Sequence, residues 1–170
     1  MNNVGHNQLA LSSPLVGRRD PSDAIDCEGE PMKPVIQEDV TGCGIASVAA
    51  LAGVTYKQTK AVAAQLGIQV TDSRLWSDTA FVRTLLKHFK IDAAPQEQPF
   101  RSWNTLPPLA LLAIKWHRRG NQTFWHWVVF RRELDRAVML DPKPSLKHPV
   151  RTDFGRITPK WFIRIDAKRR

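Results

Sequence analysis

Cysteine is scarce in this chain: Cys27 and Cys43 are the only two in 170 residues. Two thiols cannot build a disulfide framework, and their separation has none of the paired spacing of a zinc site. Long apolar runs are missing as well. The longest, Leu106 to Ile114 and Phe124 to Phe130, fall far short of the roughly 20 residues that a membrane helix needs. The first residues show no basic-then-apolar export signal. These absences predict a cytoplasmic protein without a transmembrane segment. No internal repeat is visible, and the length suits one domain with a core of ordinary size.

Charge is present but unevenly spread. Residues 1–40 carry three basic and seven acidic side chains, so the formal +9 of the whole chain leaves +13 on residues 41–170. The basic part can bind its own acidic segment, an acidic protein, nucleic acid or an anionic surface, because net charge speaks to partners rather than to fold. The plain alternative is a solvated basic face.

Residues 1–31 are polar, broken by Pro14, Pro21 and Pro31, and without sustained periodicity. They read as a flexible acidic tail, with the folded domain spanning 32–170. A helix is expected from Cys43 to its stop at Gly53, and a second from Tyr56 to Leu66 with Thr55 as N-cap and Gly67 as stop. A third, from Asp78 to about Lys90, places Phe81, Val82, Leu85, Leu86 and Phe89 on one face. Lys90 to Asp92 is expected to start a short strand. Pro95 to Pro108 is a connection containing Trp103; Trp76, Trp103 and Trp116 are read as core cover rather than as site residues. Short apolar runs then predict strands at Leu109–Trp116, Phe124–Arg131, Arg136–Leu140 and Trp161–Ile165. Helices first and strands later indicate an α+β domain with an antiparallel sheet.

Chemistry concentrates in residues 37–51. Cys43 lies between Gly42 and Gly44 at the expected first turn of a helix, where helix-terminal N–H groups and the macrodipole favour a thiolate. The two glycines are expected to leave the sulfur open to a substrate. Gln37, six residues upstream, can offer a side-chain N–H to an oxyanion beside the Cys43 backbone N–H. A tight turn centred on Glu133 and Leu134 would pair residues whose numbers sum to 267, setting His126 opposite Asp141, Val128 opposite Met139 and Phe130 opposite Ala137. A carboxylate would then orient an imidazole across a hairpin. Taken singly, Cys43 reads as a small core residue, His126 as a core histidine and Asp141 as part of an Asp-Pro turn. Together they supply the roles of acyl-transfer catalysis.

The ordered set Gln37-x5-Cys43-Gly44, His126-Trp-Val-Val and Leu140-Asp141-Pro142 resembles the papain-like cysteine peptidases, most closely the C39-type peptidases that process bacterial peptide leaders. The resemblance covers roughly residues 33–166. It implies a papain-like fold, with Cys43 as nucleophile, His126 as general acid/base, Asp141 as its orienting residue and Gln37 as oxyanion-hole donor. It also implies a peptide or protein substrate and no cofactor or metal. Two alternatives stay open: an acyltransferase using the same residues, or an inactive C39-like binding module whose basic surface contacts an acidic protein or nucleic acid.

Overall fold

The computed structural model describes residues 32–133 and 136–166. The tail expected over residues 1–31, with Cys27, lies outside the described residues. Three α-helices precede the sheet: α1 (Cys43–Ala52), α2 (Tyr56–Gln65) and α3 (Ala80–His88). The strands are β1 (Gln98–Pro99), β2 (Leu109–Arg119), β3 (Gln122–Glu133), β4 (Arg136–Leu140), β5 (Val150–Arg151) and β6 (Trp161–Arg164). They form an antiparallel sheet in the order β1-β6-β2-β3-β4-β5. The architecture is α+β, and among the described residues no helix is long and apolar enough to cross a membrane.

Local chemistry explains the helix limits. Thr55 caps α2 with a reciprocal capping box, its side chain accepting from Gln58 N–H while Gln58 reaches back to Thr55 N–H. Gly53, at φ 69°, closes α1 in the left-handed region where glycine is favoured. Helix α3 starts two residues later than expected, because Asp78 stays outside it and accepts from Ala80 N–H. The strand expected over Lys90–Asp92 is not formed. Lys90 turns left-handed at φ 55°, and Ile91 N–H returns to Leu86 C=O at 2.9 Å, so these residues close α3 instead. Beyond them, Ala93 makes a single antiparallel bridge to Ile165.

Strand alternation divides two apolar clusters. Leu111, Ala113, Trp125, Trp127 and Val129 join the cluster that contains α1 and the buried residues of α2 and α3. Ala110, Leu112, Ile114, Val128 and Phe130 enter a second cluster with Met139 and Phe162. Trp103 covers that cluster as expected, with ring centroids 4.7 Å from Phe154 and 5.0 Å from Phe100.

Helix α1 is apolar on every side and buried from Cys43 through Ala50, which suits its alanine content to close packing. Gly44 makes its closest approach: an added Cβ would lie 2.8 Å from Val82 Cγ2 and 3.2 Å from Trp127 Cδ1. Gly44→Ala is therefore expected to destabilise the fold by about 1–3 kcal/mol through overpacking. A urea titration checks this: the midpoint should fall at constant slope, and an unchanged midpoint would mean that α1 withdraws from β3 without loss.

Candidate active site

The β3–β4 hairpin carries two of the expected residues, in a register that differs from the expected one. Val129 faces Leu140, Phe130 faces Met139 and Arg132 faces Ala137, so paired numbers sum to 269 rather than 267. The reversal falls between Glu133 and Arg136, one residue later than expected. A shift of two preserves which face each side chain occupies, so the alternation of apolar residues fits both registers equally well. His126 and Asp141 become diagonal rather than direct partners. They still meet, His126 Nε2 lying 2.7 Å from Asp141 Oδ1.

Asp141 is completely buried and its carboxylate is fully engaged. Oδ1 also accepts from the Lys143 backbone N–H at 3.1 Å, and Oδ2 accepts from Arg151 Nη1 at 3.0 Å. Arg151, on β5, donates at the same time to both carboxylate oxygens of Asp153 at 2.9 and 2.8 Å. Burial alone would raise the Asp141 pKa, but hydrogen bonding and charge from His126, with Lys143 N–H and Arg151, hold it down to about 2. Burial likewise works against a charged His126. Its hydrogen bond to Asp141 and the influence of the Cys43 side chain prevail and hold the ring up to about 9. His126 thus lies between Cys43 and Asp141, although the cysteine and histidine are 83 positions apart in the chain.

Cys43 begins α1 as expected, but it is 0% exposed. The glycines beside it do not open the sulfur to solvent. Gly44 permits the approach of Val82 and Trp127, and Gly42 permits that of Tyr56, whose hydroxyl would lie 2.0 Å from an added Cβ. Packing, rather than access, requires glycine at both positions.

The segment before Cys43 is tied down at several points. Tyr56 Oη donates to Asp39 Oδ2 at 2.8 Å, and Lys60 Nζ pairs with the same oxygen at 2.8 Å. The Lys60 hydrogen bond is the main influence lowering the Asp39 pKa, against the effect of burial. Thr41 Oγ1 donates to Val70 C=O. Gln37 N–H donates to Pro142 C=O at 2.9 Å, which joins the glutamine to the Asp141-Pro142 turn. Its side-chain amide donates to Asp39 and Val40 carbonyls at 2.9 and 3.0 Å, while its buried Oε1 has no partner among the described residues. Gln37 therefore stands beside the site with both amide hydrogens engaged locally.

A cavity of about 470 Å³ opens against His126 and Gln37. Trp76 and Trp125 help to wall it, so Trp76 is more than core cover. Lys115 also lines it, from a bulge where the β2–β3 register shifts between Ile114 and His117. Its φ of 53° is a conformation that costs a non-glycine residue about 1–2 kcal/mol. The sequence offered no sign of Lys115 or of Arg151 at the site; Arg151 lies in a two-residue strand with no readable pattern. Among the described residues, no group of three or more His, Cys, Asp or Glu is arranged to hold a metal ion.

No protein-family model matches the chain, and no curated protein sequence is similar to it. Among solved structures, the chain is similar to a double-glycine motif protease from an AMS/PCAT transporter, crystallised in complex with the leader peptide. The TM-score is 0.50 at 16% identity, over 77% of this chain and 88% of that chain. At this identity the likeness concerns architecture alone: helices on an antiparallel sheet, consistent with a C39-like fold.

Proposed function

We propose that this protein is a cysteine peptidase of the C39-like type, hydrolysing a peptide or amide bond with Cys43 as nucleophile. One observation carries the reading above the others. A buried carboxylate holds His126 at 2.7 Å, and the same ring interacts with a cysteine at a helix start. His126 accepts the thiol proton, the Cys43 sulfur attacks the carbonyl carbon, and the oxyanion is held by the Cys43 N–H and a Gln37 amide N–H. Collapse of that intermediate expels the amine, which takes the proton from His126. Water, activated by the same ring, then releases the acid and restores the thiol. The crystallised neighbour's leader peptide supports a peptide as substrate class.

The test is reaction with iodoacetamide near neutral pH, with the labelled residue identified by mass spectrometry. Rapid modification of Cys43 that slows when His126 is replaced supports the enzyme. The full burial of Cys43 favours a second reading, a silent binding module for an acidic protein. An inert Cys43 that stays inert in the presence of peptides supports that module. An amine acceptor in place of water would make the same residues a transferase, which product analysis distinguishes.

His126 is held from its ordinary 6.5 up to about 9, so protonated His126 stabilises the fold fully below pH 6.5, and that contribution is lost as pH rises through about 9. Asp141, lowered from 3.8 to about 2, contributes above pH 3.8 and loses its contribution as pH falls towards 2. The need for a protonated His126 to expel the amine should therefore give kcat/KM an alkaline limb near pH 9; a limb near 6.5 would contradict the hold of Asp141 on the ring. Gln37→Ala should reduce kcat by about 100- to 1000-fold, the effect of one oxyanion donor. For Gln37 to act, one of its amide hydrogens must leave the Asp39 or Val40 carbonyl when substrate binds. An unchanged kcat in Gln37→Ala would remove it from the oxyanion hole.

A further inference from the structure

The cavity against His126 has a composition that bond cleavage alone leaves unused. Trp76, Phe124 and Trp125 give it an apolar wall, Lys115, Arg119 and Lys143 give it positive charge, and among the described residues no Asp or Glu lines it. Elsewhere four acids are neutralised in pairs: Asp39 with Lys60, Asp72 with Arg74, Glu97 with Arg83 and Asp166 with Arg164. Among the described residues, no salt bridge engages Lys115, Arg119 or Lys143.

Lys115 is placed with particular care. It sits at the β2 bulge with a left-handed backbone, a combination that re-aims side chains and gathers at functional sites. Burial lowers its pKa, the charges of Asp141 and Cys43 favour its ammonium form, and those of Lys143 and Arg151 oppose it. The ammonium therefore lies within the field of the residues around His126. The indole N–H groups of Trp76 and Trp125, in the same wall, are buried without an acceptor among the described residues. A carboxylate flanked by an apolar side chain complements both the cations and the aromatic wall.

We propose that this cavity receives the amine side of the substrate and selects a segment that carries a carboxylate beside an aromatic or aliphatic side chain. The polarity rests on the peptidase reading: His126 protonates the departing amine, so the cavity it walls takes the leaving group rather than the acyl group. The carboxylate can belong to an Asp or Glu side chain or to a free C-terminus, and both meet the same cations.

The test uses full-length Cys43→Ala protein and calorimetric titration with three dipeptides that mimic the leaving group. Phe-Glu amide carries a side-chain carboxylate, Phe-Gln with a free C-terminus carries a terminal one, and Phe-Gln amide carries neither. At least one carboxylate-bearing dipeptide should bind about tenfold or more tightly than the neutral one, and the tighter of the two identifies the source. Adding Lys115→Gln and Lys143→Gln should shrink the preference to within about twofold while thermal unfolding stays unchanged. Equal affinity for all three, no binding of any, or a preference that survives the lysine changes overturns the proposal. Competition by a single-stranded oligothymidylate that binds more tightly than either acidic dipeptide overturns it in favour of nucleic acid. Absence of any preference in Cys43→Ala, while Cys43 of the parent protein reacts with iodoacetamide, overturns this inference alone. A preference alongside an inert Cys43 supports carboxylate selection and overturns the peptidase reading.

Discussion

Cys43→Ala and His126→Ala are each expected to lower turnover to near background, a loss of about 10⁵- to 10⁶-fold if the two groups act as a unit. The first removes the covalent step. The second removes the group that takes the thiol proton and returns it to the leaving amine. Because neither partner works without the other, the double variant should be no worse than either single one, and this non-additivity is the informative readout. Steady-state rates on a cleaved peptide, with circular dichroism to verify folding, measure it. Turnover retained in Cys43→Ala would end the nucleophile assignment, and multiplicative losses would mean that His126 acts independently of the sulfur. The burial of Cys43 sharpens the test, since a structural cysteine at 0% exposure would affect stability without affecting rate.

The parts of the fold that were readable in the sequence are those fixed by local chemistry. Thr55 announces the start of α2, Gly53 and Gly67 mark helix ends, and the apolar runs of β2 and β3 form strands whose two faces feed the two clusters. The register of the hairpin was not readable. Period-two patterning cannot separate pairings that differ by two residues, and the two-residue strands β1 and β5 are too short to show any pattern. The meeting of His126 with Asp141 withstood the register error because the two residues stayed on one face.

Gly42 and Gly44 illustrate a different limit. In the sequence they suggest an open sulfur, whereas Tyr56, Val82 and Trp127 fill the space that their missing side chains leave. Arg151 and Lys115 reach the site only through tertiary contact, one from an edge strand and one from a bulge. Neither carries a signal at fixed spacing from Cys43 or His126.

Asp141→Asn is expected to reduce kcat/KM by about 10³- to 10⁴-fold, in the range seen when a triad carboxylate becomes an amide. Three donors converge on Asp141: His126 Nε2–H, Lys143 N–H and Arg151 Nη1–H. Asparagine has one acceptor oxygen and two donor hydrogens. If its oxygen serves His126 and Lys143, its amide hydrogens confront the Arg151 guanidinium. If the oxygen serves Arg151, the amide donates to His126 and imposes the wrong tautomer. Either orientation also leaves the imidazolium without its counter-charge, so the alkaline limb should move below 9. Breaking one partner of a buried ion pair should lower stability by about 3–5 kcal/mol. Adding Arg151→Met removes the confronting donor, so the double variant should regain much of the stability and, by letting the amide oxygen face His126, part of the rate. Denaturant titration with kcat/KM against pH measures both effects. If Asp141→Asn were as stable and as active as the parent, Asp141 would be a turn residue that merely lies near His126. If Arg151→Met alone shifted the pH limb upward, Arg151 would be acting on the ring by drawing on the charge of Asp141 rather than only holding β5 in place.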